Sequence, residues 1–474
     1  MKAILYDKLK TNNIIFISIL YILISLSVVF FPKGTIILTF GIILSYFFVF
    51  RTRAFFIMLF FLLFIQQSLI STNTIYAGGK ASGGTIISRA DDLIWFILIV
   101  LVLIKMIKRK TVLSIDSFDF SVFLLVLFSL LSLIANGRSF IWGNASIILM
   151  IKGYIIYFIA DKLNFHRNHI KYFIITYYIS LVIIAIFGYL QIVGLNPPMF
   201  PPQTRFGIKM INSIFNQHTQ FGSIMAIGTA LSLSFVLIKK NKWLYFLIIL
   251  FTIAVILSTS RRSLLAVLVV FLALPFLYKD VSNKIYIPIF ITLAIFIFIF
   301  RNQLLLLMKF TSADYMNNFI STPRGELYLG AIQILKHKFL LGEGPGSYAG
   351  LVSRVTNSTI YMNYGISFNT VKYSSDTYIA HILGEIGVIG FILYTNMIVN
   401  IYKKIVKLQR YFKKQKDELL ISIILFLKFV LIIGIIESFV SSFFEVAIKT
   451  IALYGILGMV SSYYKIKKDE LKAL

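Results

Sequence analysis

The sequence predicts an all-α, polytopic integral membrane protein of about 14 transmembrane helices (12 to 14), with one large extracytoplasmic loop containing short amphipathic helices. Three observations predict it. Apolar runs of about 16 to 20 residues recur along the whole 474-residue chain, 59% of the residues are hydrophobic, and lysine and arginine alternate in density between successive loops. Runs of that length suit a bilayer, because a helix satisfies its own backbone polar groups where hydrocarbon offers no partner. No stretch remains for a large soluble domain, so 1–474 reads as a single membrane domain with 301–375 as its one long loop.

In order, the spans fall at roughly 13–31, 34–50, 54–70, 91–104, 119–135, 140–160, 172–194, 218–238, 243–258, 263–278, 285–300, 376–400, 419–438 and 445–464. This number puts both termini on one side. Of the 46 basic residues, 28 then lie on that side and 15 on the other, seven of these in the long loop. By the positive-inside rule the termini are cytoplasmic, and the net charge of +28 needs no nucleic acid to explain it. The first span follows a basic N-terminus, yet no small-residue cleavage site follows it, so it reads as retained. The lack of cysteine excludes disulfides, thiolate metal sites and thiol catalysis. No repeat of fixed period supports a transporter built from two halves.

A single helix over 243–278 would be about 54 Å long against a hydrocarbon core of about 30 Å. The chain must therefore turn at Ser258, Thr259 and Ser260, within STSRRSLLA (258–266). Arg261 and Arg262 then stand at an outside tip, with Ser260 as the cap of the next helix. Burying an arginine at mid-bilayer costs on the order of 3 kcal/mol, which explains their place at the surface but not their sign. A helix N-terminus beside two guanidiniums suits a phosphate, and a lipid headgroup is the other occupant this turn allows.

Three further outside segments carry polar groups. The proline-rich loop NPPMFPPQTRFGIKMINSIFNQ holds Arg205 and Lys209, and STNTIYAGGKASGGTIISRADD (71–92) ends in Arg89, Asp91 and Asp92. For these two a flexible linker and an Arg89–Asp92 pair are the plainer readings. In the long loop, STPRGELYLGAIQILKHKFLLGEGPGSY (321–348) predicts an amphipathic helix on the membrane surface, with Thr322 as cap, Pro323 in first position and Leu327, Leu329, Ile332, Ile334 and Leu335 as its apolar side. Arg324, in its first turn, opposes the helix dipole and so points to an external anion rather than to helix stability. GEGPG reads as a turn re-entering the bilayer before it reads as a phosphate cradle.

The chain re-enters the membrane at SSDTYIAHILGEIGVIGF (374–391). Asp376, at the aqueous boundary, is the candidate for handling a proton. His381 and Glu385, i and i+4 on one face, predict a mutual hydrogen bond that locks helix packing. No carboxylates with metal-ligand spacing gather outside, so a metal-free mechanism is expected.

STSRRSLLA, RGELYLGAIQILKHKFLLGEGPGSY and SSDTYIAHILGEIGVIGF, with RFGIKMINSIFNQHTQFG upstream, resemble motifs of the O-antigen ligase and polymerase superfamily, the Wzy-type polysaccharide polymerases and their ligase relatives. The resemblance runs from about Arg205 to Phe391. It implies a glycosyltransferase whose arginines, by position Arg205, Arg261 and Arg324, hold the diphosphate of an undecaprenyl-linked sugar donor. Arg262, Arg89, Lys209, Tyr348 and Glu326 join them as candidates for diphosphate and sugar. Asp376 is the leading base, with Glu326 and Glu343 in reserve.

Where ligases of the family carry a His-Asn pair this chain has Ser375 and Asp376, which tilts the expectation to an inverting polymerase of O-antigen, capsule or exopolysaccharide. The implied partners are undecaprenyl-diphosphate-linked glycan donor and acceptor, membrane lipids, a chain-length regulator and a flippase; neither cofactor nor metal is implied. The site is expected on the extracytoplasmic face of a bacterial inner membrane. Two rival readings stand beside it: a ligase of the same superfamily, and a lipid-linked oligosaccharide flippase, which would carry charge along a central path open to both sides.

Overall fold

The computed structural model describes residues 115–195, 203–205, 208–215, 217–239, 243–277, 301, 322–356, 358–371 and 377–473, with helical positions at 53, 54, 56, 57, 95, 98–100, 102–104, 106 and 107. The first, second and eleventh expected spans lie outside the described residues, and only isolated positions of the third and fourth are described. Helices α1 (Ser117–Ala135), α2 (Phe140–Lys162) and α3 (Arg167–Ile192) precede an antiparallel hairpin, β1 (Gln203–Arg205) and β2 (Ile208–Met210). Then follow α4 (His218–Lys239), α5 (Trp243–Leu257) and α6 (Arg261–Leu277). A lobe holds α7 (Pro323–His337), α8 (Leu351–Val355), α9 (Ile360–Asn363) and α10 (Phe368–Val371). The chain closes with α11 (Tyr378–Lys414), α12 (Glu418–Ser438), α13 (Ala447–Thr450), a π turn (Ile451–Gly455) and α14 (Ile456–Ala473). Among the described residues, α1, α2, α3, α4, α11 and α12 are each long and apolar enough to cross a membrane.

Local chemistry sets the helix starts. Asp116 accepts from the amides of Phe118 (2.9 Å) and Asp119 (3.0 Å) while the Asp119 carboxylate accepts from the amide of Asp116, a reciprocal cap. Asp417 caps α12 through Leu420 N–H and also pairs with Arg167 at 2.7 Å, tying the starts of α3 and α12 together. At the centre of the bundle α4 is buried along nearly its whole length. Its run FGSIMAIGTALSLS intersperses small residues, Gly222, Ser223, Ala226, Gly228, Thr229, Ala230, Ser232 and Ser234, which let neighbouring helices approach where lipid supplies no hydrophobic drive between them. A Cβ on Gly228 would already stand 3.1 Å from the Phe251 ring of α5.

The expected turn at Ser258–Ser260 is present, and it packs against the side of α4. With 15 residues α5 rises only about 22 Å, whereas α4, with 22 residues, rises about 33 Å. The turn meets α4 at Gly222, one helical turn below that helix's first residue, and Ser258 and Ser260 are buried there. Thr259 supplies the reversal at φ 53°, and Ser260 precedes α6 with its hydroxyl on that of Ser263 (2.9 Å).

The twelfth expected span is longer than anticipated and broken. α11 departs from helical geometry at Gly387 (φ 64°, ψ −165°), leaving the carbonyls of the preceding turn without helical partners. The chain at 339–344 supplies them: the amides of Glu343 and Gly344 donate to Gly384 O and Glu385 O (both 2.8 Å), and Val388 N–H donates to Phe339 O (3.0 Å). GEGPG is thus a docking turn on α11, with the amides of Glu343 and Gly344 committed to it.

The lobe has its own core of Leu327, Ala331, Ile334, Tyr348, Ile360, Tyr361 and Ile366. Only part of the expected apolar side of α7 faces inward. Leu327 and Ile334 are buried with Ala331, while Leu329 and Ile332 are exposed, because the lobe takes the i, i+4, i+7 stripe.

Candidate functional site: a cationic turn beneath a docked lobe

The ends of α1, α3, α5 and α12 and the starts of α6 and α11 gather at one end of the bundle, linked by hydrogen bonds to the lobe and the hairpin. The hairpin belongs to this end because Ile211 N–H donates to Leu257 O (3.2 Å) and because Gln191, at the end of α3, accepts from the amides of Asn212 and Ser213. Lys209 donates to Gln191 O (2.8 Å), the favourable place for a cation at a helix C-terminus. Arg205 lies in β1, paired in register with Ile208.

The serine–arginine turn and the second turn of α7 converge on the end of α12. Arg262 donates to Val440 O (3.3 Å), and Tyr328, one helical turn after Arg324, donates to Phe439 O (2.7 Å). Burial pushes the Tyr328 hydroxyl up to about 12, with Arg324 acting in the opposite sense. Arg261, Arg262 and Arg324 are all half-buried. α7 starts as expected, with Thr322 accepting from Gly325 N–H (3.1 Å) and Pro323 in its first turn.

Directly under the turn lies a buried polar cluster that sequence reasoning missed. Glu437 of α12 accepts from Ser223 of α4 (2.7 Å) and from Ser263 of α6 (3.1 Å), and it pairs with Lys449 of α13 (2.9 Å). Lys449 also donates to Ser223 (3.0 Å). Both charged side chains are almost wholly buried. A second cluster surrounds His381, which faces Glu385 (3.1 Å) and Glu445 (3.3 Å), as electrostatic contacts lying off the hydrogen-bond direction. The expected His381–Glu385 approach is therefore present, and Glu445 was missed. Glu385 further accepts from Ser146 (2.7 Å) and from Tyr348 N–H (3.2 Å), so it ties α2, α11 and the lobe together.

The remaining candidates are placed as follows. Tyr348 is fully buried, its hydroxyl donating to Leu327 O and its ring stacked on Tyr361, which makes it part of the lobe's core and not a sugar-binding surface. Glu326 accepts from Ser367 (3.0 Å) and Thr370, closing the lobe on itself. Glu343 is held by Arg138, by Lys338 (3.1 Å) and by Tyr364 (2.7 Å). Burial alone raises its pKa, but these three donors outweigh it and hold the carboxyl below its ordinary value. Burial, together with the bond to Glu343, pushes Tyr364 up to about 12. Asp376, Arg89 and the side chain of Arg205 lie outside the described residues.

The arrangement defines a polytopic, mostly helical membrane protein with arginines and a buried ion pair assembled at one end of its bundle. Residues 245–395 match the family model described as O-antigen ligase, so this part of the chain is similar to the O-antigen ligase/polymerase superfamily, whose members are glycosyltransferase-like enzymes. The matched region includes the serine–arginine turn, α7, Glu343, Asp376, His381 and Glu385; Arg205, Glu437, Glu445 and Lys449 fall outside it. No curated protein matches the chain.

Proposed function

We propose that the protein joins lipid-diphosphate-linked oligosaccharide repeat units into a polysaccharide, at the end of the bundle where the serine–arginine turn and α7 meet. The single observation that supports this most is the convergence on Phe439 and Val440 of Arg262 and of Tyr328, one helical turn after Arg324. In the reaction proposed, an acceptor sugar hydroxyl attacks the anomeric carbon of the donor from the face opposite the diphosphate. The bond from that carbon to the diphosphate oxygen breaks, so configuration inverts. Arg261 and Arg324 stabilise the charge that develops on the departing diphosphate, with Arg205, Arg89 and Lys209 around it, and Asp376 takes the proton of the attacking hydroxyl.

The opposite end carries Lys162, Arg167, Lys239, the basic stretch from Lys403 to Lys416 and Lys465, which supports placing it in the cytoplasm and the site outside. Replacing Arg261 by alanine is expected to abolish long polymer and leave single lipid-linked units to accumulate; normal chain lengths in that variant would refute the reading. A ligase of the same superfamily is the second reading, and the matching family model supports it equally. A glycan profile separates the two, because loss of a ligase leaves long chains on the lipid carrier and loss of a polymerase leaves none.

A further inference from the structure

The second of the two adjacent arginines is anchored at the end of α12. Arg262 donates to Val440 O, three residues beyond Glu437, and its guanidinium attracts the Glu437 carboxylate. The next residue, Ser263, hydrogen-bonds the same carboxylate at 3.1 Å. Glu437 thereby holds the two residues that directly follow Arg261 and, through Ser223, fixes them to α4. Ser258 and Ser260 close on α4 at Gly222 from the other side of the turn.

A buried carboxylate with no strong partner would be costly here, and Lys449 removes that cost at 2.9 Å. Within the cluster one carboxylate faces both Lys449 and Arg262. Buried ion pairs of this kind are poor sources of stability but effective at fixing one geometry.

We propose that Glu437 and Lys449 are positioning residues for the serine–arginine turn. They hold Arg262 as a structural tether and so orient Arg261 toward the diphosphate of the substrate. This rests on the proposed function, since it assumes that Arg261 meets a diphosphate. Glu437 and Lys449 act through the turn and touch no substrate themselves.

The test uses the full chain in lipid nanodiscs, with undecaprenyl diphosphate as the binding probe and thermal unfolding followed in parallel. Glu437→Gln is expected to weaken probe binding at least tenfold. Because that variant leaves Lys449 and Arg262 without their counter-charge, it is also expected to unfold earlier. The double variant Glu437→Leu with Lys449→Met removes both charges and is expected to regain the unfolding temperature but not the affinity, whereas Glu437→Asp recovers most of both. A double-mutant cycle completes the test: if Glu437 works through Arg262, then Glu437→Gln in an Arg262→Ala background weakens binding less than twofold further.

Affinity within twofold of the parent chain in the folded double variant, or fully additive losses in the cycle, would overturn the inference and leave the proposed function standing. Failure of the unmodified protein to bind undecaprenyl diphosphate would instead overturn the proposed function beneath it.

Discussion

Substituting alanine at Gly387 tests how the lobe is attached to the bundle. At φ 64° and ψ −165° the residue occupies a region open essentially to glycine alone, and a Cβ there would stand 2.5 Å from Leu340 O and 2.8 Å from Gly342 N. The chain cannot relieve the backbone strain without moving 339–344, because those residues form the docked turn. Strain of about 1–3 kcal/mol adds to weakening of the bonds from Glu343, Gly344 and Val388, each worth about 1 kcal/mol. A total near 3 kcal/mol shifts the docking equilibrium toward the undocked lobe by on the order of 100-fold.

The chain has no cysteine, so one introduced at a chosen position reports alone. Ser347 is buried beside the docked turn and differs from cysteine by one atom. In a Ser347→Cys background, Gly387→Ala is expected to accelerate maleimide labelling of that thiol by at least tenfold. Unchanged labelling, with an unchanged unfolding temperature, would mean that the break in α11 does not hold the lobe.

Three other predictions use the same material. Gly222→Ala would place a Cβ 2.5 Å from Ser258 Oγ and 2.7 Å from Ser260 Cβ; overpacking of about 1–3 kcal/mol and reduced glycan transfer are expected, with a smaller effect for Gly228→Ala. Glu343 has a lowered pKa in the folded state, so its stabilising contribution is complete above its ordinary value of 4.5 and is lost as pH falls through the lower folded value. In Glu343→Gln that acid-induced fall in unfolding temperature should be missing. Arg167→Ala removes a pair whose arginine is 46% exposed; a loss below about 1 kcal/mol in unfolding free energy is expected, and a larger one would show that the pair clamps α3 to α12.

What could be read from the sequence was whatever local chemistry determines. The turn at Ser258–Ser260 was legible because two apolar runs were together too long for one crossing, and the start of α7 because Thr322 and Pro323 are residues that begin helices. The depth of the turn was not legible: it depends on Gly222, which lies on another helix, and on α5 being short relative to α4. Glu437 and Lys449 look like stray charges at the ends of two separate apolar runs, and only folding brings them together with Ser223. The break at Gly387 was hidden for a similar reason. GEIGVIG reads as continuous helix until the backbone of 339–344 is present to satisfy the carbonyls it releases.

The shortness of α5 bears on how a membrane-anchored molecule would be handled. A phosphate ester on a long isoprenoid chain normally sits with its polar head at the lipid surface, and raising it exposes methylenes to water at roughly 0.8 kcal/mol each. If the first residue of α4 stands at the lipid surface, cations set a helical turn below it would meet such a head at its resting depth or draw it inward. The tail stays dissolved in hydrocarbon throughout, and thicker bilayers, which would bury that recess further, should slow the protein more than thinner ones.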